Sequence, residues 1–232
     1  MSTKSIYEDG TYLCNNPTWH EQDSPWKAQN IDRLLKKNSI FPSTICELGC
    51  GAGGILRWLS EHDANKTRFF GYEISPHAFE VCKKKIAPNL EYFNKNLFDD
   101  PEAVFDVVMA IDVFEHVEDY FGFLRKLREK GTYKVFHIPL DLSMQTVLRG
   151  SPIMKLRSSV GHIHYFTKET ALATLKDTGY DLLDYFYTDG SQLPNRGWKA
   201  DLLKIPRRLL FSVDQDLASR VLGGFSLMVL AK

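Results

Sequence analysis

A glycine-rich segment is the part of the chain whose residue types and spacing most clearly suggest chemistry. It reads Glu47-Leu-Gly49-Cys-Gly51-Ala-Gly53-Gly54 and lies between a short apolar run and an amphipathic stretch. Glycines in such a turn let the backbone approach a ligand closely, and the start of the following helix exposes N–H groups. The segment therefore predicts a nucleotide-like ligand. Gly49, Gly51 and Gly54 also fit the spacing Gly-x-Gly-x-x-Gly, so a dinucleotide stays open as that ligand.

A second acidic residue indicates that the ligand carries a ribose. Glu73 ends the next predicted strand along the chain. A carboxylate at that place can accept hydrogen bonds from both ribose hydroxyls. NAD and S-adenosylmethionine both contain a ribose, so Glu73 supports either cofactor and does not separate them.

Three histidines are candidate proton acceptors. His162 and His164 are two residues apart, so an extended backbone would direct both side chains to the same side. His116 directly follows Glu115, shortly after an apolar run. Imidazole accepts a proton near neutral pH, which suits a general base. The alternative for His162 is a structural role in which it bonds to backbone and fixes its loop.

The cysteines predict thiols rather than a metal centre. Cys46 and Cys50 are four residues apart, but no cluster of histidine or cysteine completes a zinc pattern beside them. We therefore expect no metal site and unpaired thiols, as in a reducing cytoplasm. The chain shows neither a secretory signal nor an apolar run of about 18 residues, so we expect a cytoplasmic protein without a membrane span.

Alternating strand and helix patterns surround these residues and predict an α/β fold. Apolar runs at 44–48, 68–73, 90–94, 105–112 and 134–139 are separated by amphipathic stretches, which favours a doubly wound parallel sheet. Two late strands, 180–188 and 225–231, lack a complete crossover unit. We therefore expect seven strands, mostly parallel, with one antiparallel strand in the edge region. Helices are expected at 55–62, 76–86, 119–130, 167–178 and 206–222.

The ends of the chain predict additions to this core. Residues 1–40 are expected to form an N-terminal cap segment and helix, with Ser24 as helix cap and Pro25 at the first helical position. Residues 41–232 are expected to form the ligand-binding domain. An insertion at about 189–222 precedes the last strand and is expected to shape the acceptor pocket.

The segments that bear these residues resemble the class I S-adenosylmethionine-dependent methyltransferases, over roughly residues 40–190 and the last strand. The glycine segment matches that family's acidic-x-Gly-x-Gly-x-Gly motif. Phe105-Asp-Val-Val followed by Asp112-Val-Phe-Glu-His-Val resembles its fourth-strand segment, and Gly161-His-Ile-His-Tyr-Phe-Thr resembles the segment before its last large helix. The sequence is most similar to the small-molecule group that includes ubiquinone-biosynthesis-type enzymes.

The resemblance implies S-adenosylmethionine as cofactor and a role for each matching residue. Glu47 with Gly49, Gly51 and Gly53 would hold the methionine portion, and Glu73 the ribose. Asn96 and Leu97 stand where the family usually has Asp-Ala beside the adenine, so Asn96 departs from the pattern. Ile111, through its backbone, or Asp112 would face the cofactor. Trp19, Trp26 and Lys27 resemble a cap over the pocket.

These features predict methyl transfer to a small molecule, with a hydroxyl slightly ahead of an amine as acceptor. Lys plus Arg and Asp plus Glu both total 29, so the chain lacks the basic character of a nucleic-acid binder and we expect no nucleic-acid partner. A protein or RNA methyltransferase and a non-catalytic cofactor-binding protein stay open as alternatives. An NAD-dependent oxidoreductase is also open, although a clear Tyr-x-x-x-Lys pair is absent.

Overall fold

The computed structural model describes Asn16 and residues 18–19, 21–190 and 204–232, except the side chains of 204–206 and 208. Seven strands of these residues form one sheet in the order β3-β2-β1-β4-β5-β7-β6. They are β1 (Thr44–Leu48), β2 (Arg68–Tyr72), β3 (Leu90–Phe93), β4 (Phe105–Ile111), β5 (Gly131–Pro139), β6 (Leu182–Asp189) and β7 (Phe225–Ala231). Only β7 runs antiparallel to its neighbours, β5 and β6. The predicted fold class is therefore confirmed.

The described helices cover both faces of this sheet. They are α1 (Ser24–Lys37), α2 (Gly54–His62), α3 (Pro76–Cys82), α4 (Tyr120–Arg128), α5 (Met144–Arg149), α6 (Ser151–Ser159), α7 (Lys168–Asp177), α8 (Lys204–Val213) and α9 (Gln215–Leu222). None of them is long and apolar enough to cross a membrane.

Alternate side chains of strand β4 contribute to the two apolar cores on opposite faces of the sheet. Val107 and Met109 belong to the apolar core under α1 and α2, whereas Val108 and Ala110 belong to the core under α4 and α7. Successive side chains of a strand point to opposite faces, so a continuous apolar run supplies both layers. This arrangement holds the carboxyl ends of the parallel strands in fixed positions.

The chain order reverses between β1 and β4, which lie side by side in the middle of the sheet. In open α/β sheets, ligands bind outside the carboxyl ends of the strands at such a reversal. Glu47 lies near the end of β1, Glu73 directly follows β2, and Asp112 directly follows β4. The fold therefore brings these three acidic residues to one edge.

Some predicted helix boundaries were wrong. Helix α1 begins at Ser24 with Asp23 at the cap position, so Ser24 is not the cap. The expected helix at 206–222 is two helices, because Asp214 has an extended backbone and caps α9 by accepting a hydrogen bond from the Leu217 N–H. The expected helix at 76–86 turns into a 3-10 turn after Cys82.

Helices α5 and α6 had no counterpart in the prediction. Helix α6 contains no buried residue, so it has no core-facing apolar stripe of the kind that identifies a helix. Both helices follow β5, and Thr146 of α5 with Leu156 of α6 lines the cavity described below. The divisions at residue 40 and at 189–222 stay predictions; residues 1–15 and 191–203 lie outside the described part of the chain.

Candidate active site

A large cavity, about 1090 Å³ in volume, lies at the carboxyl edge of β1, β2 and β4. The sequence predicted twelve residues for the site. Ten of them line this cavity, whereas Gly53 and His164 do not. The ten are Glu47, Gly49, Gly51, Glu73, Asn96, Leu97, Ile111, Asp112, His116 and His162. Trp19, Trp26 and Lys27 also line the cavity, in agreement with a cap.

Gly51 and Gly53 have different structural roles in the glycine loop. Gly51 has a φ of +53°, and a Cβ there would meet nothing within 4 Å, so its open side faces the cavity. Gly53 has a φ of +75°, and its Cβ would lie 2.7 Å from the Tyr92 ring and 2.8 Å from Cys82. The Tyr92 hydroxyl also donates to the Gly53 carbonyl at 2.7 Å. Gly53 therefore allows close packing behind the loop rather than facing the ligand.

Glu73 is fixed by the loop that it supports. One carboxylate oxygen accepts from the Gly51 N–H at 2.8 Å, and the other accepts from the Ser75 N–H at 2.7 Å. Burial raises the pKa of Glu73, and these backbone hydrogen bonds oppose that rise. Each carboxylate oxygen has a second lone pair. Glu73 can therefore also accept from the two hydroxyls of a ribose.

Glu47 presents a buried carboxyl group without a complete set of partners. Its side chain is 2% exposed, and its Oε2 atom has no hydrogen-bond partner. Burial raises the pKa of Glu47 well above its usual value, while the charge of Lys27 lowers it. A buried carboxylate of this kind is stabilised by a positive group that donates hydrogen bonds. The amino group of a methionine moiety fits that requirement.

Asn96 and Leu97 form the wall expected for the adenine. Asn96 Oδ1 accepts from the Phe98 N–H at 3.0 Å and caps the 3-10 turn Leu97–Asp99. The side chain of Leu97 is fully buried. Asn96 thus keeps the capping geometry that an aspartate would have, and its amide adds two N–H donors.

Asp112 forms a polar network that the sequence did not reveal. Its φ is +54°, a left-handed conformation that aspartate tolerates better than most residues. One oxygen accepts from His137 Nδ1 at 2.6 Å, and the other pairs with Lys27 Nζ at 2.6 Å. His137 Nε2 lies 2.9 Å from Thr188 Oγ1. His137 is thus a buried histidine whose two ring nitrogens both have hydrogen-bond partners.

The charges in this network shift two pKa values. Burial alone would raise the pKa of Asp112, but His137 and Lys27 hold it far below its usual value. Burial alone would lower the pKa of Lys27, but the charge and hydrogen bond of Asp112 raise it. Both groups are therefore ionised at neutral pH, and their ion pair ties α1 to the end of β4.

The candidate histidines separate into two groups. His162 Nδ1 lies 2.6 Å from Asp141 Oδ2, and His116 Nδ1 lies 3.0 Å from the Gly161 carbonyl oxygen. The two rings meet edge to face at 4.8 Å between centroids. His164 Nε2 instead bonds to the Val117 carbonyl at 2.9 Å, and His164 does not line the cavity.

The extended backbone assumed for the histidine segment is not what the chain adopts. The N–H groups of Ile163 and His164 both donate to the Glu115 carbonyl, at 3.0 and 3.1 Å. The backbone turns around that oxygen, so the alternation of an extended strand does not apply. His162 and His164 consequently point to different places.

Glu115 and Asp141 belong to this region and were not nominated from the sequence. Glu115, His116 and His162 each offer one ligand atom, and these atoms lie within 4.8 Å of one another. They could hold a metal ion, in contrast to the expectation of no metal site. Asp141 shortly follows β5, and its position at the carboxyl end of a strand is a signal that could have identified it.

The sequence matches a known family over most of this site. Residues 19–185 match the family model described as a methyltransferase domain. The chain belongs to this family and is a class I S-adenosylmethionine-dependent methyltransferase. Its cofactor is S-adenosylmethionine, which fits the buried acid and the open glycine loop. The NAD-dependent oxidoreductase and the non-catalytic protein are therefore no longer alternatives.

One curated relative matches part of the chain. The mitochondrial ubiquinone biosynthesis O-methyltransferase of Schizosaccharomyces pombe is 31% identical over 102 residues, which are 41% of this chain and 36% of that protein. The chain thus spans about a third of the length of the relative that it matches.

Two solved structures show the same fold. The N-methyltransferase NodS of Bradyrhizobium japonicum, in complex with S-adenosyl-L-homocysteine, has a TM-score of 0.62 and 16% identity, covering 100% of this chain and 98% of that one. Magnesium protoporphyrin IX methyltransferase of Synechocystis, with the same ligand bound, has a TM-score of 0.60 and 14% identity, covering 89% and 82%.

Proposed function

We propose that this enzyme transfers the methyl group of S-adenosylmethionine to a hydroxyl or amine of a small molecule bound beside His116 and His162. The observation that carries the proposal is the continuity of the cavity. The same space that Glu47, Gly51 and Glu73 line extends to the two histidines. A volume of about 1090 Å³ exceeds that of most single-ligand pockets, which favours a cofactor and an acceptor side by side.

The cofactor half of the cavity fixes the position of the methyl group. The bound cofactor supplies a methyl group on a positively charged sulfur, which is the electrophile. Glu73 would accept from the ribose hydroxyls, and Glu47 would pair with the amino group. Asn96 and Leu97 would flank the adenine. Ile111 and Asp112, at the end of β4, would face the junction between cofactor and acceptor.

The acceptor half is built to orient a partly apolar molecule. Leu140, Leu156 and Val160 supply apolar contact, while His116 and His162 supply polar atoms. Alignment of the acceptor atom with the methyl group and exclusion of water are the main protein contributions to such a displacement. We keep His116 and His162 as the groups that act on the acceptor, and we do not retain His164 because it lies outside the cavity wall.

The nature of the relatives supports a small acceptor. The relative from Schizosaccharomyces pombe is named for O-methylation in ubiquinone biosynthesis, and the NodS structure for N-methylation. A protein or RNA acceptor is the second candidate, and the zero formal charge speaks against RNA. Burial of the thiols of Cys46, Cys50 and Cys82 without disulfides supports a cytoplasmic site of action.

Two measurements, made one after the other, test the proposal. Calorimetry of the purified chain with S-adenosylmethionine, S-adenosylhomocysteine and NAD should show micromolar binding of the two sulfur compounds and none of NAD. Radiolabelled S-adenosylmethionine is then supplied with panels of phenols and amines, with total protein and with total RNA. Label in a phenol or amine supports the proposal. Label confined to protein or RNA overturns the small-molecule acceptor.

A further inference from the structure

Two side chains that donate hydrogen bonds flank the turn between α9 and β7. Gly223 and Gly224 form this turn, and their φ values are +60° and +80°. A Cβ on Gly223 would lie 3.6 Å from Gln145 Nε2, and a Cβ on Gly224 would lie 3.2 to 3.4 Å from the guanidinium atoms of Arg207. Gln145, Arg207 and Gly224 all line the cavity. The turn therefore brings an amide and a guanidinium to neighbouring positions in the cavity wall.

The sheet places this turn on the acceptor side of the cavity. Ser226, two residues after Gly224, lies opposite Pro139 at the end of β5. Strand β7 is separated from β4 by β5, whereas β1 and β2 lie on the other side of β4. Glu47 and Glu73 lie at the ends of β1 and β2. Two strands therefore separate the turn from the cofactor half.

Packing fixes the guanidinium of Arg207 in the cavity wall. The residue is half-buried, and its Cζ atom lies 6.0 Å from the centroid of the Phe225 ring. That ring stacks on Phe211, with 4.7 Å between the centroids. Gly224 leaves the space that the guanidinium fills, since a side chain there would crowd it. Five N–H donors in one plane allow Arg207 to keep a protein partner and still offer two N–H groups to a ligand.

Gln145 has a fixed amide orientation. Its Oε1 atom accepts from Arg149 Nη1 at 2.9 Å, and its Nε2 atom donates to the Leu222 carbonyl at 3.1 Å. The amide nitrogen carries two N–H groups, so one can donate to Leu222 and the other to a ligand. Gln145 thus offers the cavity a hydrogen-bond donor and not an acceptor.

Two acidic residues near the acceptor side have partners of their own. Asp112 pairs with Lys27 at 2.6 Å, and Asp141 Oδ2 lies 2.6 Å from His162 Nδ1. Their carboxylates are directed to these partners, and Arg207 supplies positive charge on the same side. A negatively charged acceptor is attracted to such a wall, whereas a positively charged one is repelled.

We propose that the methyl acceptor carries an anionic group, a carboxylate or a phosphate, that binds Arg207 and Gln145 while its hydroxyl or amine lies beside His116 and His162. This inference rests on the proposed function, because it gives the chemical class of that acceptor. A guanidinium forms two parallel hydrogen bonds to a carboxylate or a phosphate. The amide of Gln145 adds a third donor, and the shared cavity lets one molecule reach both ends.

Matched acids and amides test the anion site by calorimetry on the full chain saturated with S-adenosylhomocysteine. The probes are 4-hydroxybenzoate against 4-hydroxybenzamide and 4-aminobenzoate against 4-aminobenzamide, which differ in charge and hardly in size. We expect each acid to bind about 10- to 100-fold more tightly than its amide, as charged hydrogen bonds predict. Phenyl phosphate forms the phosphate arm; whether it or the benzoates bind more tightly distinguishes a phosphate site from a carboxylate site.

Four variants assign the preference to the turn. Arg207→Gln should abolish the preference for acids, and Arg207→Lys should retain part of it, since a lysine keeps the charge but loses the paired donors. Gln145→Glu keeps the shape of the side chain and should weaken the acids alone. Arg220→Gln is the matched control, because Arg220 pairs with Glu169 at the surface; it should bind like the wild type. Thermal unfolding and S-adenosylhomocysteine affinity show whether each variant is folded.

The inference is overturned if acids and amides bind equally, if no acid binds at millimolar concentration, or if the preference survives in Arg207→Gln. Methyl transfer to neutral phenols or amines together with any of these results would leave the proposed function intact. Label confined to protein or RNA would overturn the proposed function, even where the acids still bind.

Discussion

The two halves of the cavity are built on different principles. The cofactor half consists of a glycine loop and of acidic residues at the ends of β1, β2 and β4, all fixed by the sheet. The acceptor half consists of side chains from the loop after β4, from α5 and α6, and from the segment at 160–162. Backbone geometry therefore positions the residues of the proposed cofactor half, whereas contacts between distant segments shape the rest of the cavity.

The largest expected effect is a loss of S-adenosylmethionine affinity when Glu73, in the cofactor half of the cavity, is replaced. Glu73→Ala removes the acceptor for the ribose hydroxyls and the bond that holds the Gly51 N–H. Two hydrogen bonds to a charged group contribute about 3 kcal/mol or more, which is a loss of at least about 100-fold in S-adenosylmethionine affinity. Calorimetry measures it. Glu91→Ala is the control, because Glu91 is exposed and pairs with Arg68 at the surface; an unchanged affinity for Glu73→Ala would refute the ribose site.

A second experiment compares the structural roles of Gly51 and Gly53 within the glycine loop. Gly53→Ala places a Cβ against Tyr92 and Cys82 at a left-handed φ, so we expect about 3 kcal/mol loss in the free energy of unfolding. Gly51→Ala meets no atom and should lose about 1 kcal/mol from backbone strain. Urea unfolding gives both values. Equal losses for the two variants would show that Gly53 is not a packing position.

The ion pair between Lys27 and Asp112 connects the N-terminal helix with the cofactor half. Lys27→Met removes the ammonium group that pairs with the buried Asp112 carboxylate and leaves that charge with the His137 hydrogen bond, so we expect a loss of about 3 kcal/mol in the free energy of unfolding at pH 7. The pKa of Lys27 is raised in the folded protein, so its contribution is complete below the unfolded pKa and is lost as pH rises through the folded value.

The deficit of Lys27→Met relative to the wild type should consequently shrink above about pH 10.4, the ordinary lysine value. Denaturant unfolding at pH 7 and in this alkaline range checks the sign. Lys37→Met is the control, because Lys37 pairs with Asp184 at an exposed site, where such a bridge contributes less than about 1 kcal/mol. A deficit that stays constant with pH would mean that packing, and not charge, accounts for it.

The smallest expected effect belongs to the apolar wall of the acceptor half. Val160→Ala removes two methyl groups from the cavity lining. We expect unchanged S-adenosylmethionine affinity and a change of about 10-fold in the kcat/KM for the acceptor, since small apolar contacts contribute about 1–3 kcal/mol to discrimination. A parallel loss of cofactor affinity would show that the two halves are not separate.

The sequence was informative wherever a local pattern carries the structure. The strands at 44–48 and 225–231 lie where the apolar runs placed them, and Thr167 caps α7 with Thr170 in a capping box. Helix α6 was not predicted because none of its residues is buried in the core. The histidine segment was misread because its backbone follows the Glu115 carbonyl, a contact across about 50 positions of the chain that no local period records.

What the sequence by itself determined is the sheet, its two faces and most of the residues that line the proposed cofactor half of the cavity. Alternation of side chains along a strand and the conformational freedom of glycine are local properties, so they can be read from neighbouring residues. The tertiary structure alone decided that Lys27 neutralises Asp112 and that Glu115 meets His116 and His162. These contacts join residues far apart in the chain, and their energies depend on burial, which exists only after the chain has folded.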